Sequence, residues 1–281
     1  MKRIFFFTFL LITFTGWTQK LDNALLWEIS GNGLKNPSYL FGTIHATCDA
    51  TLDEKVKEAV NATSSLYLEL DMDDPALQSE MMKGMTMKNG TTMSSLVSED
   101  DFKKLDAFLK EQIGTSAYAL NTLKPFMVSS FLITKILDCP MQSVETELMK
   151  LVAMQNKQVY GLETVTEQLA VFDAIPYDLQ AKELMKTANS NLQKDKEDIK
   201  KMMNFYKNQD IEGMISFVNE SEMYGRNDIL LDNRNKNWIP KIEVIAKKSP
   251  TFFGVGAAHL EGENGVIKLL RKKGYTVEAV K

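Results

Sequence analysis

Histidine is almost absent from this sequence: 281 residues hold two, His45 and His259. They lie far apart, so the His-Glu-x-x-His helix of a conventional zincin is excluded. No Gly-x-Ser-x-Gly occurs either, which removes the usual serine-hydrolase elbow. Cysteine is as scarce, with only Cys48 and Cys139. Two cysteines do not define a disulfide framework; in an oxidising compartment they can pair, and otherwise they are two buried thiols. Neither lies near the amino terminus, as a lipoprotein anchor requires. Basic runs are missing, so nothing can follow a phosphate backbone and nucleic acid is not an expected partner. The one long apolar run, Ile4 to Phe14, is well short of the roughly 20 residues that span a membrane.

That run follows Lys2 and Arg3 and precedes Gly16 and Thr18, small residues suited to a cleavage site. Residues 1–18 therefore read as a secretory signal peptide, and a mature chain from Gln19 is expected outside the cytoplasm, periplasmic or extracellular, with no stable membrane anchor. Loss of Lys2 and Arg3 leaves 31 of 33 basic residues against 37 acidic ones, a net charge of −6 in place of −4. The composition, 44% hydrophobic and 25% charged, is ordinary for one globular domain spanning 19–281.

Short apolar, β-branched and aromatic runs predict strands at Leu25–Ser30, Ser38–Phe41, Leu66–Leu70, Val159–Leu162, Thr251–Val255 and Tyr275–Val280. The turn-rich link Gly-Asn-Gly-Leu-Lys-Asn-Pro makes the first two a hairpin. Later strands are each followed by a helical pattern, as in βα units. Ser98 with Asp101 and Thr164 with Glu167 read as capping boxes, the first helix stopping at Gly114. Pro125 suits the first turn of a helix reaching about Leu137. Three or four amphipathic helices fill Tyr177 to Lys248, with breaks near Asn208 and Gly225, and Gly274 stops a helix that starts at Gly265. The expected architecture is α/β: a mostly parallel central sheet formed by both chain ends, with a large helical insertion at roughly 75–150 and 177–248.

Both histidines sit in the same company. Tyr39-Leu40-Phe41-Gly42-Thr43-Ile44-His45 and Phe252-Phe253-Gly254-Val255-Gly256-Ala257-Ala258-His259 are each a strand that stops at glycine and delivers a histidine three residues later. Such a glycine lets the backbone turn sharply or approach a ligand, at the strand edge where α/β sheets bind ligands. Glu69 lies inside the apolar run Leu66 to Leu70. Either it points to solvent from a half-exposed strand or it needs a cation, because a buried carboxylate costs several kcal/mol unless paired or metal-bound. Glu163 ends another strand, where it could join the site or stabilise the following helix. Two imidazoles and one or two carboxylates suit zinc, manganese, cobalt or iron, with a position left for water. A metal-activated water and a spare carboxylate make hydrolysis the economical chemistry. Two of the few arginines, Arg226 and Arg234, lie close together; they could grip a substrate carboxylate, stabilise an oxyanion, or form surface ion pairs.

These segments carry a family resemblance. Leu-Trp-Glu-Ile-Ser-Gly, Ser-Tyr-Leu-Phe-Gly-Thr-Ile-His-Ala, Tyr-Leu-Glu-Leu-Asp, Val-Tyr-Gly-Leu-Glu-Thr with Gln168, Leu-Leu-Asp-Asn-Arg-Asn and Val-Gly-Ala-Ala-His-Leu occur in the order seen in the TraB/GumN family, which includes the Tiki proteases. The resemblance implies a fold related to the erythromycin-esterase (EreA) and ChaN groups and a divalent metal ion, manganese, cobalt or zinc. It also implies a peptide or protein substrate. His45, His259 and Glu69 become the expected metal ligands, and Glu69, Glu163, Arg226 and Arg234 the expected catalytic side chains. The rival expectation is a binding module that holds metal or haem, or sequesters a peptide, without turnover. Six methionines from Met72 to Met93 bear on it, because thioethers bind Cu(I) and line adaptable grooves; they also fill cores or form a mobile flap.

Overall fold

The computed structural model describes residues 21–221 and 225–281, so the leader read at 1–18 lies outside the described residues. All six expected strands form: β1 (Leu26–Gly31), β2 (Ser38–Thr43), β3 (Ser65–Leu68), β4 (Val159–Gly161), β5 (Thr251–Gly256) and β6 (Tyr275–Ala279). They make one sheet in the order β4-β3-β5-β2-β1-β6. The pairs β4–β3, β3–β5 and β5–β2 are parallel, whereas β1 runs antiparallel to both β2 and β6. The sheet is thus mixed, a parallel block of four with an antiparallel edge. Gly31, Asn32 and Gly33, all at positive φ, turn the chain between β1 and β2.

Helices occupy the connections: α1 (Glu54–Asn61), α2 (Leu77–Lys83), α3 (Glu99–Ile113), α4 (Pro125–Ser130), α5 (Ile133–Ile136), α6 (Val144–Ala153), α7 (Val165–Asp173), α8 (Tyr177–Ser190), α9 (Gln193–Lys207), α10 (Ile211–Val218), α11 (Asn233–Lys248) and α12 (Val266–Lys272). The caps follow local chemistry. Ser98 accepts from the Asp101 N–H and Thr164 makes a reciprocal box with Glu167, while Gly114 ends α3 in the left-handed region. The helix expected from Pro125 to Leu137 is instead two pieces. Ser129 and Ser130 donate their hydroxyls back to the Pro125 and Met127 carbonyls, an alternative to continued helix. Asn191 and Leu192, both at positive φ, separate α8 from α9, and Leu192 is buried among helices.

Successive residues of β5 face opposite cores, as a doubly covered strand requires. Phe252 packs with α1 and α6 on one face; Phe253 and Val255 pack with Trp238, Ile239 and Ile242 of α11 and with α12 on the other. A separate cluster joins α3, α4 and α8, and it takes up Met87 and Met93. Met81 and Met85 pack beside Leu70 and Leu169, while Met72 and Met82 are exposed, so most of the methionine run fills cores. No helix among the described residues is long and apolar enough to cross a membrane.

Candidate active site

The four parallel strands point their carboxyl ends the same way, and each delivers one expected residue. Glu69 follows β3, Glu163 follows β4, His259 ends the 3-10 turn after β5, and His45 lies in the loop after β2. The β3–β4 ladder continues past the strands: the Glu163 N–H donates to the Glu69 carbonyl at 2.9 Å, which sets two buried carboxylates side by side. Two such charges need a cation between them. Arg234, in the first turn of α11, supplies it. Its Nη2 donates to Glu69 Oε2 at 2.5 Å and to Glu163 Oε1 at 2.6 Å, and its Nε donates to both Glu163 oxygens. Burial opposes charge on Arg234, but Glu69 and Glu163 outweigh it and raise its pKa.

Glu163 also accepts from Trp238 Nε1 and Gln168 Nε2, so its oxygens are fully engaged. Glu69 keeps Oε1 for the Gly256 N–H at 2.8 Å, and a Cβ on Gly256 would stand 3.2 Å from that oxygen. Gly42 has the matching role in the other motif: a Cβ there would meet Leu260 at 2.7 Å and Ala257 at 3.1 Å. The two glycines let the histidine loops and Glu69 close on one another.

Arginine can only donate, so the 3.0 Å contact from Arg234 Nη1 makes His259 Nε2 the acceptor. The ring proton is therefore on Nδ1, which donates to Asn235 Oδ1 at 2.6 Å. Burial drives the His259 pKa down to about 3, with Arg234 and His45 adding to the effect and Glu69 opposing it. Burial likewise opposes ionisation of Glu69, but His259 when protonated, Arg234, His45 and the Gly256 N–H hold its pKa at about 2. At neutral pH the Glu69 carboxylate and the Arg234 guanidinium are charged and the His259 imidazole is neutral.

His45 sits at the mouth, with 69% of its side-chain surface open to solvent and Nδ1 2.7 Å from Glu145 Oε1. Crowding by protein atoms opposes its charge, yet the Glu145 carboxylate and the more distant Glu69 prevail and raise its pKa to about 9. Glu145 lies in the first turn of α6, whose lead-in segment is fastened to the His45 loop. Thr47 and Gln142 exchange backbone hydrogen bonds, Val144 N–H donates to the Ile44 carbonyl, and Cys48 and Cys139 are disulfide-bonded with Cα atoms 5.6 Å apart. Tyr206 of α9 donates to the Gly42 carbonyl from behind.

Of the two arginines, Arg234 is the centre of the site and Arg226 stands apart, paired at 3.4 Å with exposed Asp228. Among the described residues no three His, Cys, Asp or Glu side chains converge ready-made on one point suited to a metal ion. The donor chemistry nonetheless fits one. The His259 Nδ1 is hydrogen-bonded to Asn235 Oδ1 and the His45 Nδ1 lies 2.7 Å from Glu145 Oε1; an oxygen at Nδ1 is the usual support for an imidazole whose Nε2 binds metal. Glu69 adds a carboxylate 3.6 Å from His259 Nε2. Glu145, Asn235 and Trp238 escape a reading of the sequence alone. Glu145 looks like an ordinary acid at a helix start, and only the placement of Asn235 and Trp238 one and four residues after Arg234 hints at a shared helix face.

The sequence model of the TraB/PrgY/gumN family matches residues 25–279. Metalloprotease TIKI2 of Danio rerio is 24% identical over 93% of this chain and 62% of its own length. Metalloprotease TIKI1 of Homo sapiens is 24% identical over 91% and 62%. The Metalloprotease TIKI homolog of Nematostella vectensis is 22% identical over 94% of this chain. The chain thus spans about three-fifths of the length of the first two relatives. No solved structure matches it.

Proposed function

This chain belongs to the TraB/PrgY/gumN family, and on that premise we propose that it is an exported metal-dependent hydrolase cleaving an amide bond in an extracytoplasmic peptide or protein. One observation carries the reading: adjacent parallel strands bring Glu163, Glu69, His259 and His45 to one sheet edge, with a side-chain oxygen within 2.7 Å of Nδ1 on each imidazole. The relatives' name, metalloprotease, points the same way. Export is supported by the leader-like first residues and by the disulfide, a bond that persists in oxidising compartments. Kinship of the fold with the erythromycin-esterase and ChaN groups belongs to the same reading.

In this scheme His45 Nε2, His259 Nε2 and a Glu69 oxygen hold a divalent ion, manganese, cobalt or zinc. Bound there, such an ion supplies Lewis acidity to a water and to the scissile carbonyl. Asn235 and Glu145 aim the two rings. Glu163, whose oxygens are taken by Arg234, Trp238 and Gln168, positions the guanidinium. For His259 Nε2 to serve as a ligand, Arg234 Nη1 would have to release it; the guanidinium, tied to both carboxylates, would offer positive charge where an oxyanion develops. Among the described residues Arg226 pairs with exposed Asp228, and it has no step in this scheme.

The test measures metal content of the mature protein, His45→Ala and His259→Ala after incubation with manganese, cobalt or zinc. Binding by wild type and loss in both variants are expected; equal content in all three would sink the shared site. Metal-dependent cleavage of a mixed peptide library, lost in Glu69→Gln, separates a hydrolase from a binder. Tight haem or copper uptake without turnover would identify the binder.

A further inference from the structure

A cleft of about 350 Å3 opens between α7 and α11, and its floor is the knot just described, Glu163, Arg234 and Trp238. Its charges balance, with Glu163 and Glu167 against Arg234 and Lys241. They are also engaged. Glu167 caps the Thr164 N–H at 2.7 Å, and Lys241 donates to the Leu162 carbonyl at 2.6 Å, with Glu167 3.8 Å away. A charged ligand would therefore find no counter-charge free to meet it.

What the walls do offer is apolar. Ala170 of α7 and Ala174, its C-cap one turn on, are exposed and leave the space a larger side chain would fill; Val171 and Ile229 flank them. The opposite wall carries Asn233 and Asn237, exposed and one turn apart on α11. Neither amide has a side-chain partner among the described residues, and each presents both a donor and an acceptor. Four helical residues rise about 6 Å, close to the roughly 6.6–6.8 Å that separates every second residue of an extended peptide. The pair can grip one edge of an extended backbone, and a side chain projecting from that backbone can fill the space over the alanines.

We propose that the α7–α11 cleft is the substrate subsite: it takes an apolar side chain against Ala170 and Ala174 and holds the adjoining peptide backbone through Asn233 and Asn237. This rests on the hydrolase reading for its position beside the reacting groups, and it names the preference that reading leaves open. Alternate residues of the peptide lie along the asparagines, so the preference falls at one fixed distance from the cleaved bond.

Two readouts separate this inference from the hydrolase reading. Dye-labelled octapeptides of glycine and serine carry one leucine, aspartate or lysine at each position in turn. Binding is followed by fluorescence polarisation, and cleavage by mass spectrometry in the presence of manganese. Leucine at one position should improve both binding and kcat/KM on the order of 10- to 100-fold over aspartate or lysine. Ala174→Trp, which fills the cleft, should abolish that preference with metal content unchanged. Asn233→Ala with Asn237→Ala should weaken binding of every peptide while leaving the leucine preference in place. Should Ala174→Trp unfold the protein, Ala170→Leu fills the same space with less bulk. Cleavage with a leucine preference that none of these variants alters would overturn the subsite and leave the hydrolase standing. Leucine-selective binding lost in Ala174→Trp, without cleavage by wild type, would do the reverse. No leucine preference in either readout would overturn the subsite directly.

Discussion

Removing the Arg234 side chain would leave Glu69 and Glu163 buried on adjacent strands with no cation between them. Breaking a buried ion pair in this way costs about 3–5 kcal/mol. Arg234→Ala should therefore lower stability to urea by about that much in metal-free protein. Arg234→Lys should recover little, because one ammonium cannot reach both carboxylates in the fork geometry. A loss below about 1 kcal/mol in Arg234→Ala would mean the carboxylates are not held by this residue. Asn235 acts on the same centre indirectly. Its amide oxygen fixes the His259 tautomer, so Asn235→Ala should weaken metal binding roughly 10- to 100-fold in a calorimetric titration. Unchanged affinity would show that His259 orients without it. The sequence makes Glu69 and Arg234 conspicuous separately, one as a carboxylate in an apolar run and the other as a rare arginine. That they meet, and that Asn235 completes the set, depends on α11 lying over the strand ends.

Between elements, a second buried ion pair binds the helical block together. Lys124, the residue before α4, is 1% exposed and pairs at 2.6 Å with Asp173, the last residue of α7. Lys88 also pairs with Asp173, and Tyr177 of α8 donates to it at 3.0 Å. Burial opposes ionisation of Asp173, but Lys124, Lys88 and Tyr177 hold its pKa below the usual value. A carboxyl depressed in the fold contributes stability above its unfolded pKa of about 3.9 and loses it as pH falls through the folded value. Asp173→Asn should cost about 3–5 kcal/mol at neutral pH, since it strands the Lys124 charge. The penalty should shrink below about pH 4, where wild type also loses the pair. An equal penalty at both pH values in urea titrations would refute the linkage. At this scale helix starts were legible from Ser98, Thr164 and Pro125, because a cap is a local event. The breaks at Phe131 and Leu192 were not, since apolar periodicity runs through both and tertiary packing decides where the chain turns.

Across the molecule, the Cys48–Cys139 bond closes a loop of 91 residues that includes α1, β3 and α2 to α5. Chain entropy alone assigns such a crosslink about 4–5 kcal/mol. Cys48→Ser with Cys139→Ser should lower Tm on the order of 10 °C by calorimetry, and a shift under about 2 °C would contradict that role. Metal affinity should fall as well, because the bond fastens the His45 loop to the segment that carries Glu145. The sequence by itself determined the six strands, their hairpin start and the histidines that end two of them, because alternation, turn chemistry and caps act over a few residues. The two Gly-x-x-His motifs were recognisable as a pair for the same reason. Only the tertiary structure decided that β5 runs between β2 and β3, which sets His259 beside Glu69 and on the same sheet edge as the His45 loop. It alone placed Arg234 between two carboxylates and closed the disulfide. Those contacts join residues far apart in the chain, and no local pattern encodes a distance that packing of the whole sheet and its helices has yet to fix.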